Sequence, residues 1–292
     1  MAFPERNILS HLVTETQLRD TVADVFDAGR TLVEAQHGVA WSLKPDGSFI
    51  TALDRRIEDY LRERLEARFP GCAFIGEESA SAAPLPASCP RLILDPIDGT
   101  AAYARGLNFF AISLALVDAA GQPRLAILHL PAMGRWFVGT FDGAIATRYA
   151  VEDATPGLAV RVLAAPTAPP PPLGRDAYVW LGSDPHLQVD LSRWEGKVRA
   201  LGATAAHLAL LLDDTIDPIA AIVTRYKIWD VAAGLALAQG AGFETRDLRA
   251  PDRPLTLSDL LAVTGTLPAF VVARPEVLNA LLPVIALSRP RA

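Results

Sequence analysis

Apolar residues recur at helical spacing in two segments near the start of the chain. The first predicts an amphipathic helix from about Ser10 to Gln36, and the second predicts a helix from about Leu53 to Arg68. Pro70-Gly71 ends the second helix, because both residues interrupt a helical backbone. Between the helices, the turn Pro45-Asp46-Gly47 predicts a short hairpin or loop over residues 41–50.

Short apolar runs bounded by turn residues follow, and they predict strands. The last three runs are separated by segments containing glycine and proline, which favours an antiparallel meander. The predicted strands cover Ala73–Ile75, Arg91–Leu94, Phe109–Val117, Arg124–His129 and Arg135–Gly139.

A proline-rich stretch, Ala165–Gly174, cannot hold a helix or a central strand and predicts an extended connector. We therefore expect an N-terminal half in residues 1–150, a connector in residues 151–176 and a C-terminal half in residues 177–292. In this last half, strands and helices alternate. The predicted strands are Ala177–Leu181, Lys197–Ala200, Ile219–Val223, a pair near Phe243 and Pro254–Leu257, and Phe270–Ala273; the predicted helices are Leu187–Trp194, Thr204–Leu212, Asp230–Gly240 and Pro275–Leu287.

Composition and charge exclude several classes of protein. Hydrophobic residues make up 51% of the 292 residues, which is typical of a soluble globular protein with one large domain or two smaller ones. The net charge of −6 and the pI near 5.4 argue against nucleic acid or an anionic membrane surface as the main partner. No uninterrupted apolar run reaches the roughly 18 residues of a membrane span. An anionic substrate would need metal ions in order to approach this protein.

The two cysteines, Cys72 and Cys89, occur without an apolar leader in Met1–Ser10, which predicts free thiols and a cytoplasmic location. The five histidines form no close pair, so a zinc site is not expected. The motifs of cysteine-dependent phosphatases, serine hydrolases and P-loop enzymes do not occur in the sequence.

Carboxylates follow one of the predicted buried strands. Asp95 and Asp98 come directly after the apolar run Leu92-Ile93-Leu94, where α/β proteins place active sites. Pro96 stiffens the turn between them and exposes the Ile97 carbonyl. Because Mg²⁺ prefers carboxylate and carbonyl oxygens, this turn predicts a magnesium site.

Asp230 begins a predicted helix, where an acid is favoured by the helix dipole even without metal. Taken one at a time, these pieces also fit simpler structures. Asp-Pro-x-Asp-Gly could be a solvated turn, Gly76-Glu77-Glu78-Ser79 a helix cap, Asp230 an N-cap, and Trp229 a core residue. It is their combination that indicates a functional site.

The combination resembles the inositol monophosphatase family of Mg²⁺-dependent, lithium-sensitive phosphatases. The segments that match its motifs are Gly76-Glu77-Glu78, Asp95 to Thr100 and Trp229 to Gly234, in the family's order and at suitable spacing. The resemblance covers nearly the whole chain. It implies an α/β (α+β) fold, namely an alternating α-β-α-β-α layered sandwich of the inositol monophosphatase and fructose-1,6-bisphosphatase type, and a homodimer.

The resemblance also implies a role for individual residues. Glu77, Asp95 and the Ile97 carbonyl would bind a first Mg²⁺, Asp95, Asp98 and Asp230 would hold a second, and a weaker third ion could share Glu77. Thr100, oriented by Asp54, would help Glu77 to position and deprotonate the attacking water. Residues implied in phosphate or substrate binding are Asp98, Gly99, Thr100, Lys44, Gly202, Ala203 and Thr204, although a lysine beside the Pro45-Asp46-Gly47 turn is also expected to be merely solvated.

Departures from the family pattern concern the substrate. Ala101-Ala102-Tyr103 replaces the Thr-Asn-Phe that commonly follows the motif threonine. Val223 stands where members that hydrolyse inositol phosphate tend to carry a glutamate for a ring hydroxyl, and valine cannot accept a hydrogen bond. Arg225 or Lys227 could instead meet a second anionic group of the substrate, or could be solvated loop charges.

Three functions follow as hypotheses. The favoured one is Mg²⁺-dependent hydrolysis of inositol phosphate or a related polyol or sugar phosphate by activated water. The second keeps this chemistry and changes the substrate to fructose 1,6-bisphosphate, histidinol phosphate or a 3′-phosphonucleotide. The third is a regulatory or interaction protein on the same fold, which the intact acidic set disfavours.

Overall fold

Two helices and a hairpin form the outer layer of the N-terminal half. The structure is a computed structural model, and it describes residues 13–79, 89–142, 145–154, 157–163, 173–182, 188–213, 215–263 and 266–287. Helix α1 (Glu15–Ala35) and helix α2 (Ala52–Arg68) each begin with a capping box, in which side chain and backbone bond reciprocally across the first turn. Strands β1 (Trp41–Leu43) and β2 (Phe49–Thr51) pair antiparallel between them.

Within the described ranges, seven strands form one sheet in the order β3-β4-β5-β6-β7-β8-β9. Strand β3 is parallel to β4, and every later pair is antiparallel, so the predicted meander is confirmed. The strands are β3 (Ala73–Gly76), β4 (Arg91–Asp98), β5 (Ala111–Val117), β6 (Pro123–Leu130), β7 (Arg135–Asp142), β8 (Ile145–Ala154) and β9 (Gly157–Leu163).

A second sheet, in the order β12-β10-β13-β15-β14, belongs to the C-terminal half. Its outer face is covered by α7, and α4, α5 and α6 lie against its inner face. The elements of this half are β10 (Tyr178–Leu181), β11 (Val189–Asp190), β12 (Lys197–Arg199), α4 (Thr204–Leu210), β13 (Pro218–Val223), α5 (Ile228–Gly240), β14 (Glu244–Asp247), α6 (Leu257–Ala262), β15 (Phe270–Ala273), α7 (Pro275–Leu281) and β16 (Ala286–Leu287).

One hydrophobic core joins the two sheets through the central helices. It includes Ile93 and Ala115 of the larger sheet, Val231 of α5, and Val272 of the smaller sheet. A second core lies between the larger sheet and α1 and α2, and it includes Leu32 and Leu61. The layers therefore alternate helix, sheet, helix, sheet, helix, as the family resemblance implies. No helix in the described part of the chain has the length and apolar character needed to cross a membrane.

Three predicted elements differ from the structure. The helix expected at Leu187–Trp194 is wrong over its described residues, because β11 pairs there with the distant β16. The strand expected at Pro254–Leu257 reduces to one bridge from Pro254 to Arg246, and helix α6 begins at Leu257. The final helix ends at Leu281, followed by a 3₁₀ turn and β16.

The expected connector of residues 151–176 starts inside β8, and its residues 151–154 and 157–163 pair as strands. Most of the proline-rich run, residues 164–172, lies outside the described residues.

Candidate metal and phosphate site

A bulge at the end of β4 brings two carboxylates to the same side of the larger sheet. Asp95 pairs with Ser113 and Asp98 pairs with Ala111, so β4 has one residue more than β5 in this interval. On a regular strand, side chains three residues apart point to opposite faces of the sheet. The extra residue of the bulge brings both carboxylates to one face. The Ile97 N–H donates to Asp95 Oδ1 at 2.9 Å, which fixes the turn.

Asp230 reaches the same place from the first turn of α5. Its Oδ2 accepts the Lys227 N–H at 2.8 Å, so the carboxylate also caps the helix. The Ser113 hydroxyl donates to the Trp229 carbonyl at 2.9 Å and ties the start of α5 to β5. As a result, Asp95, Asp98 and Asp230 each offer an oxygen within 4.8 Å of the others.

Glu77 approaches from β3, the parallel neighbour of β4. Its N–H donates to the Leu94 carbonyl at 3.2 Å, which continues the ladder beyond Gly76. Lys44 Nζ, from the hairpin between α1 and α2, lies 2.8 Å from Glu77 Oε1 and 2.5 Å from Glu78 Oε1. Burial favours the neutral amine, but these two carboxylates outweigh it and raise the pKa of Lys44.

The carboxylates of this cluster oppose one another's ionisation. Burial, followed by the charges of Glu77, Asp98 and Asp230, raises the pKa of Asp95 well above its ordinary value. Burial and the charge of Asp230 raise the pKa of Asp98, although backbone N–H donors oppose the shift. Burial raises the pKa of Asp230 to about 7. A divalent cation would relieve this conflict, and the donors are all hard oxygens, so the residues fit a Mg²⁺ site.

A second polar group lies beside the cluster. The Thr100 hydroxyl is 3.0 Å from Asp54 Oδ1 and 2.9 Å from the Ile97 carbonyl oxygen, so its single proton can be donated to either. Asp54 Oδ2 accepts from the Thr51 N–H and hydroxyl at 2.7 and 2.6 Å. Burial raises the pKa of Asp54, and these hydrogen bonds oppose the shift.

Asp98 also joins the two halves of the chain. Its carboxylate accepts the Thr204 N–H at 3.2 Å and the Ala205 N–H at 2.7 Å at the start of α4. Gly99 has φ of 87°, and a Cβ there would lie 2.7 Å from Ala203 Cβ and 2.9 Å from the Phe109 carbonyl. Only glycine fits that turn, and the segment from Gly202 to Thr204 lies directly against it.

The positions linked to substrate choice are beyond this cluster. Val223 ends β13 with 2% of its surface exposed and is part of the core between the two sheets. Arg225 and Lys227 follow it and are exposed. Val223 therefore offers a substrate neither a polar atom nor an exposed surface.

The model of the inositol monophosphatase family matches residues 14–274. The chain belongs to this family. Inositol-1-monophosphatase of Mesorhizobium japonicum is 30% identical over 219 residues, which are 71% of this chain and 75% of that protein. Fructose-1,6-bisphosphatase/inositol-1-monophosphatase of Aquifex aeolicus is 25% identical over 232 residues, 78% of this chain and 82% of that protein.

The fold of the chain is also that of the family. The solved structure of a Thermotoga maritima IMPase superposes with a TM-score of 0.70 at 20% identity, covering 92% of this chain and 96% of that one. The inositol monophosphatase family is a family of metal-dependent phosphatases, and three acids of this member could hold a metal ion.

In this inositol monophosphatase family member, the residues singled out in the sequence lie together. Lys44, Asp54, Glu77 and the turn from Asp95 to Thr100 come from the N-terminal half; Asp230 and the segment from Gly202 to Thr204 come from the C-terminal half. Sequence reasoning missed Glu58, which is 2% exposed and accepts the Glu78 N–H at 2.8 Å. The sequence did contain one indication of Glu58, because it is a second acid that lies one helical turn after Asp54.

Proposed function

We propose that this protein is a Mg²⁺-dependent phosphomonoester hydrolase that acts on a small polyol or sugar phosphate by attack of water. The observation that carries the proposal is the convergence of Asp95, Asp98 and Asp230 within 4.8 Å in a member of a phosphatase family. The same three groups have raised pKa values, which is the behaviour expected of carboxylates arranged for a cation.

The residues divide by role. Asp95, Asp98 and Asp230 would hold one ion, and Glu77, Asp95 and the Ile97 carbonyl another, with Glu77 shared by a third. When bound, Mg²⁺ would lower the pKa of water and neutralise charge on the phosphate oxygens. Gly99 and Thr100 would offer backbone N–H groups to the phosphate. Thr100, held by Asp54, would orient the attacking water, and Glu77 would take part in accepting its proton.

Substrate choice depends on positions outside the acidic cluster. Val223 is buried and apolar, so it offers nothing to an inositol ring hydroxyl, and a site without such a partner discriminates weakly. The Aquifex aeolicus relative carries the names of two phosphatases, which supports a substrate range wider than inositol phosphate. Fructose 1,6-bisphosphate, histidinol phosphate and a 3′-phosphonucleotide are the alternatives, and the exposed Arg225 and Lys227 could meet their second polar or anionic group.

Phosphate release tests the proposal. The panel is inositol 1-phosphate, fructose 1,6-bisphosphate, histidinol phosphate, glycerol 2-phosphate and a 3′-phosphonucleotide, each with Mg²⁺ and with EDTA. We expect Mg²⁺-dependent release that is lost in Asp95→Asn, which removes one charge from the cluster and leaves an oxygen to accept the Ile97 N–H. Asp176→Asn is the matched control, because Asp176 is an exposed carboxylate paired with Lys197.

Release by the Asp95→Asn protein at the wild-type rate would exclude the proposed metal site. No release from any substrate, with the protein folded and metal bound, would favour a regulatory protein on this fold instead. We also propose a cytoplasmic homodimer, as the family resemblance implies, and light scattering coupled to gel filtration measures its mass.

A further inference from the structure

Glu58 is a buried carboxylate for which the proposed chemistry provides no role. It lies on α2 one turn after Asp54, on the face that otherwise packs apolar residues such as Ile57 and Leu61 against the sheet. Only 2% of its surface is exposed, and none of the ion pairs among the described residues includes it. A carboxylate this deeply buried is costly unless it is hydrogen-bonded.

The carboxylate lies against the backbone of the segment from Gly76 to Glu78. Glu58 Oε2 accepts the Glu78 N–H at 2.8 Å. A Cβ on Gly76 would lie 2.4 Å from the carboxyl carbon of Glu58 and within 2.7 Å of both of its oxygens. The carboxylate therefore occupies the space of a side chain at residue 76, and glycine is required there by close approach rather than by backbone conformation.

These contacts fix the backbone on both sides of Glu77. The Glu77 N–H donates to the Leu94 carbonyl of β4, and the next N–H along the chain donates to Glu58. Between these two anchors, the Glu77 side chain lies close enough to Asp95 for its charge to raise the pKa of that carboxyl. Lys44 contacts the Glu77 side chain too, but a bound cation would compete with its ammonium, whereas a hydrogen bond to the backbone is left intact.

We propose that Glu58 is a positioning residue that holds Glu77 in place as a metal ligand. It acts through the backbone of residues 76–78 and does not touch the metal itself. Partners that orient a ligand in this way commonly contribute a tenfold to hundredfold change in metal affinity. The inference rests on the proposed metal site and extends it to a residue outside the three family motifs.

Metal binding without substrate tests the inference. The probe is Mn²⁺ added to the full chain, with free Mn²⁺ measured by electron paramagnetic resonance at a temperature at which circular dichroism shows each variant folded. We expect Glu58→Ala to raise the Mn²⁺ Kd by about tenfold or more. Glu58→Gln should restore a Kd close to that of the wild type, because its amide oxygen can still accept the Glu78 N–H.

Leu61→Ala is the matched control for a purely structural effect. Leu61 is fully buried on the same helix face, and its apolar side chain cannot hydrogen-bond to the backbone of residues 76–78. This variant should therefore lower the unfolding temperature and leave the Mn²⁺ Kd of the folded protein unchanged. If Glu58→Ala does not fold, Gly76→Ala replaces it, because the added methyl group must push the carboxylate away and should weaken Mn²⁺ binding as well.

Two results would overturn the positioning role alone. In one, Glu58→Ala or Gly76→Ala binds Mn²⁺ with the Kd of the wild type. In the other, Glu58→Gln binds Mn²⁺ as weakly as Glu58→Ala does. A wild-type protein that binds no Mn²⁺ would overturn the proposed function and this inference together, so the two failures are distinguishable.

Discussion

The Thr100 hydroxyl connects the two polar groups of the site, since it lies within hydrogen-bond distance of both Asp54 and the Ile97 carbonyl. Thr100→Val keeps the shape of the side chain and removes the hydroxyl. We expect kcat to fall by about a hundredfold or more, the range for loss of a positioned proton carrier. Metal affinity should change little, because the carboxylates are untouched.

Steady-state kinetics on the substrate found in the panel, with Mn²⁺ binding measured in parallel, check this expectation. Thr100→Ser is the control, because it keeps the hydroxyl and should retain most of kcat. Full activity in Thr100→Val would remove Thr100 from the proposed mechanism and leave it as a structural residue of the turn.

The sequence identifies the aspartates but not Glu58, and the difference is physical. Asp95 and Asp98 follow an apolar strand, where two acids are out of place unless something binds them. Glu58 is an acid among acids and arginines on a surface-type helix, and such a residue is usually solvated. Its burial depends on the close approach of Gly76, a tertiary contact that the spacing of Asp54 and Glu58 does not indicate by itself.

The junction between β4 and α4 depends on a glycine at the turn. Gly99 has a positive φ and lies against Ala203 and the Phe109 carbonyl, whereas a Cβ on Gly71, at nearly the same φ, would meet no described atom within 4 Å. Gly71→Ala should cost about 1–2 kcal/mol of unfolding free energy, the penalty of the left-handed conformation alone. Gly99→Ala should cost clearly more, because two neighbouring segments must also move.

Urea denaturation of both variants and of the wild type, without metal, measures the two costs. Equal losses of unfolding free energy in the two variants would mean that the segment from Gly202 to Thr204 moves away from a methyl group at residue 99 without a free-energy cost. In that case its close packing would contribute little to the position of Asp98.

Elements with a strong local pattern are predicted well, and elements made by distant partners are not. The helices α1 and α2, predicted from apolar periodicity, and the strands of the meander, predicted from short apolar runs between turns, appear in the structure close to their predicted bounds. By contrast, β11 exists because Val189 pairs with Leu287, a residue far along the chain. Helix α6 did have a local signal, the capping box of Thr256 and Asp259, which the strand prediction overlooked.

The proposed metal site is formed by the whole molecule, because Asp230 comes from α5, Asp95 and Asp98 come from β4, and Glu77 directly follows β3. Helix α5 packs in the core between the two sheets, so folding brings this carboxylate to the others. The division of the chain near residue 150 stays a prediction. Bringing the carboxylates together lowers the folding stability of the metal-free protein, and the size of this effect depends on pH.

In the metal-free protein, Asp230 should contribute stability that is lost as pH rises from about 4 to about 7. Burial raises the pKa of Asp230 from 3.8 to about 7, so over this interval the folded protein holds a proton that the unfolded chain has released. The stabilising contribution is fully present below pH 4 and is lost as pH passes through 7. Its size is on the order of a few kcal/mol.

Asp230→Asn should remove this contribution and stabilise the metal-free protein at pH 7.5 relative to the wild type, while losing Mn²⁺ binding. The amide keeps an oxygen for the Lys227 N–H and carries no charge. Urea denaturation in EDTA at several pH values measures this contribution, and Asp252→Asn, at an exposed position, is the control. Added Mg²⁺ should stabilise the wild type increasingly as pH rises, since it binds the ionised carboxylates of the folded state. Burial lowers the pKa of His129 and His207, and these two groups give the opposite trend, so the deciding quantity is the difference in stability between the wild type and Asp230→Asn. If this difference does not change with pH in EDTA, the acids are not in conflict, and the electrostatic argument for a cation loses its basis.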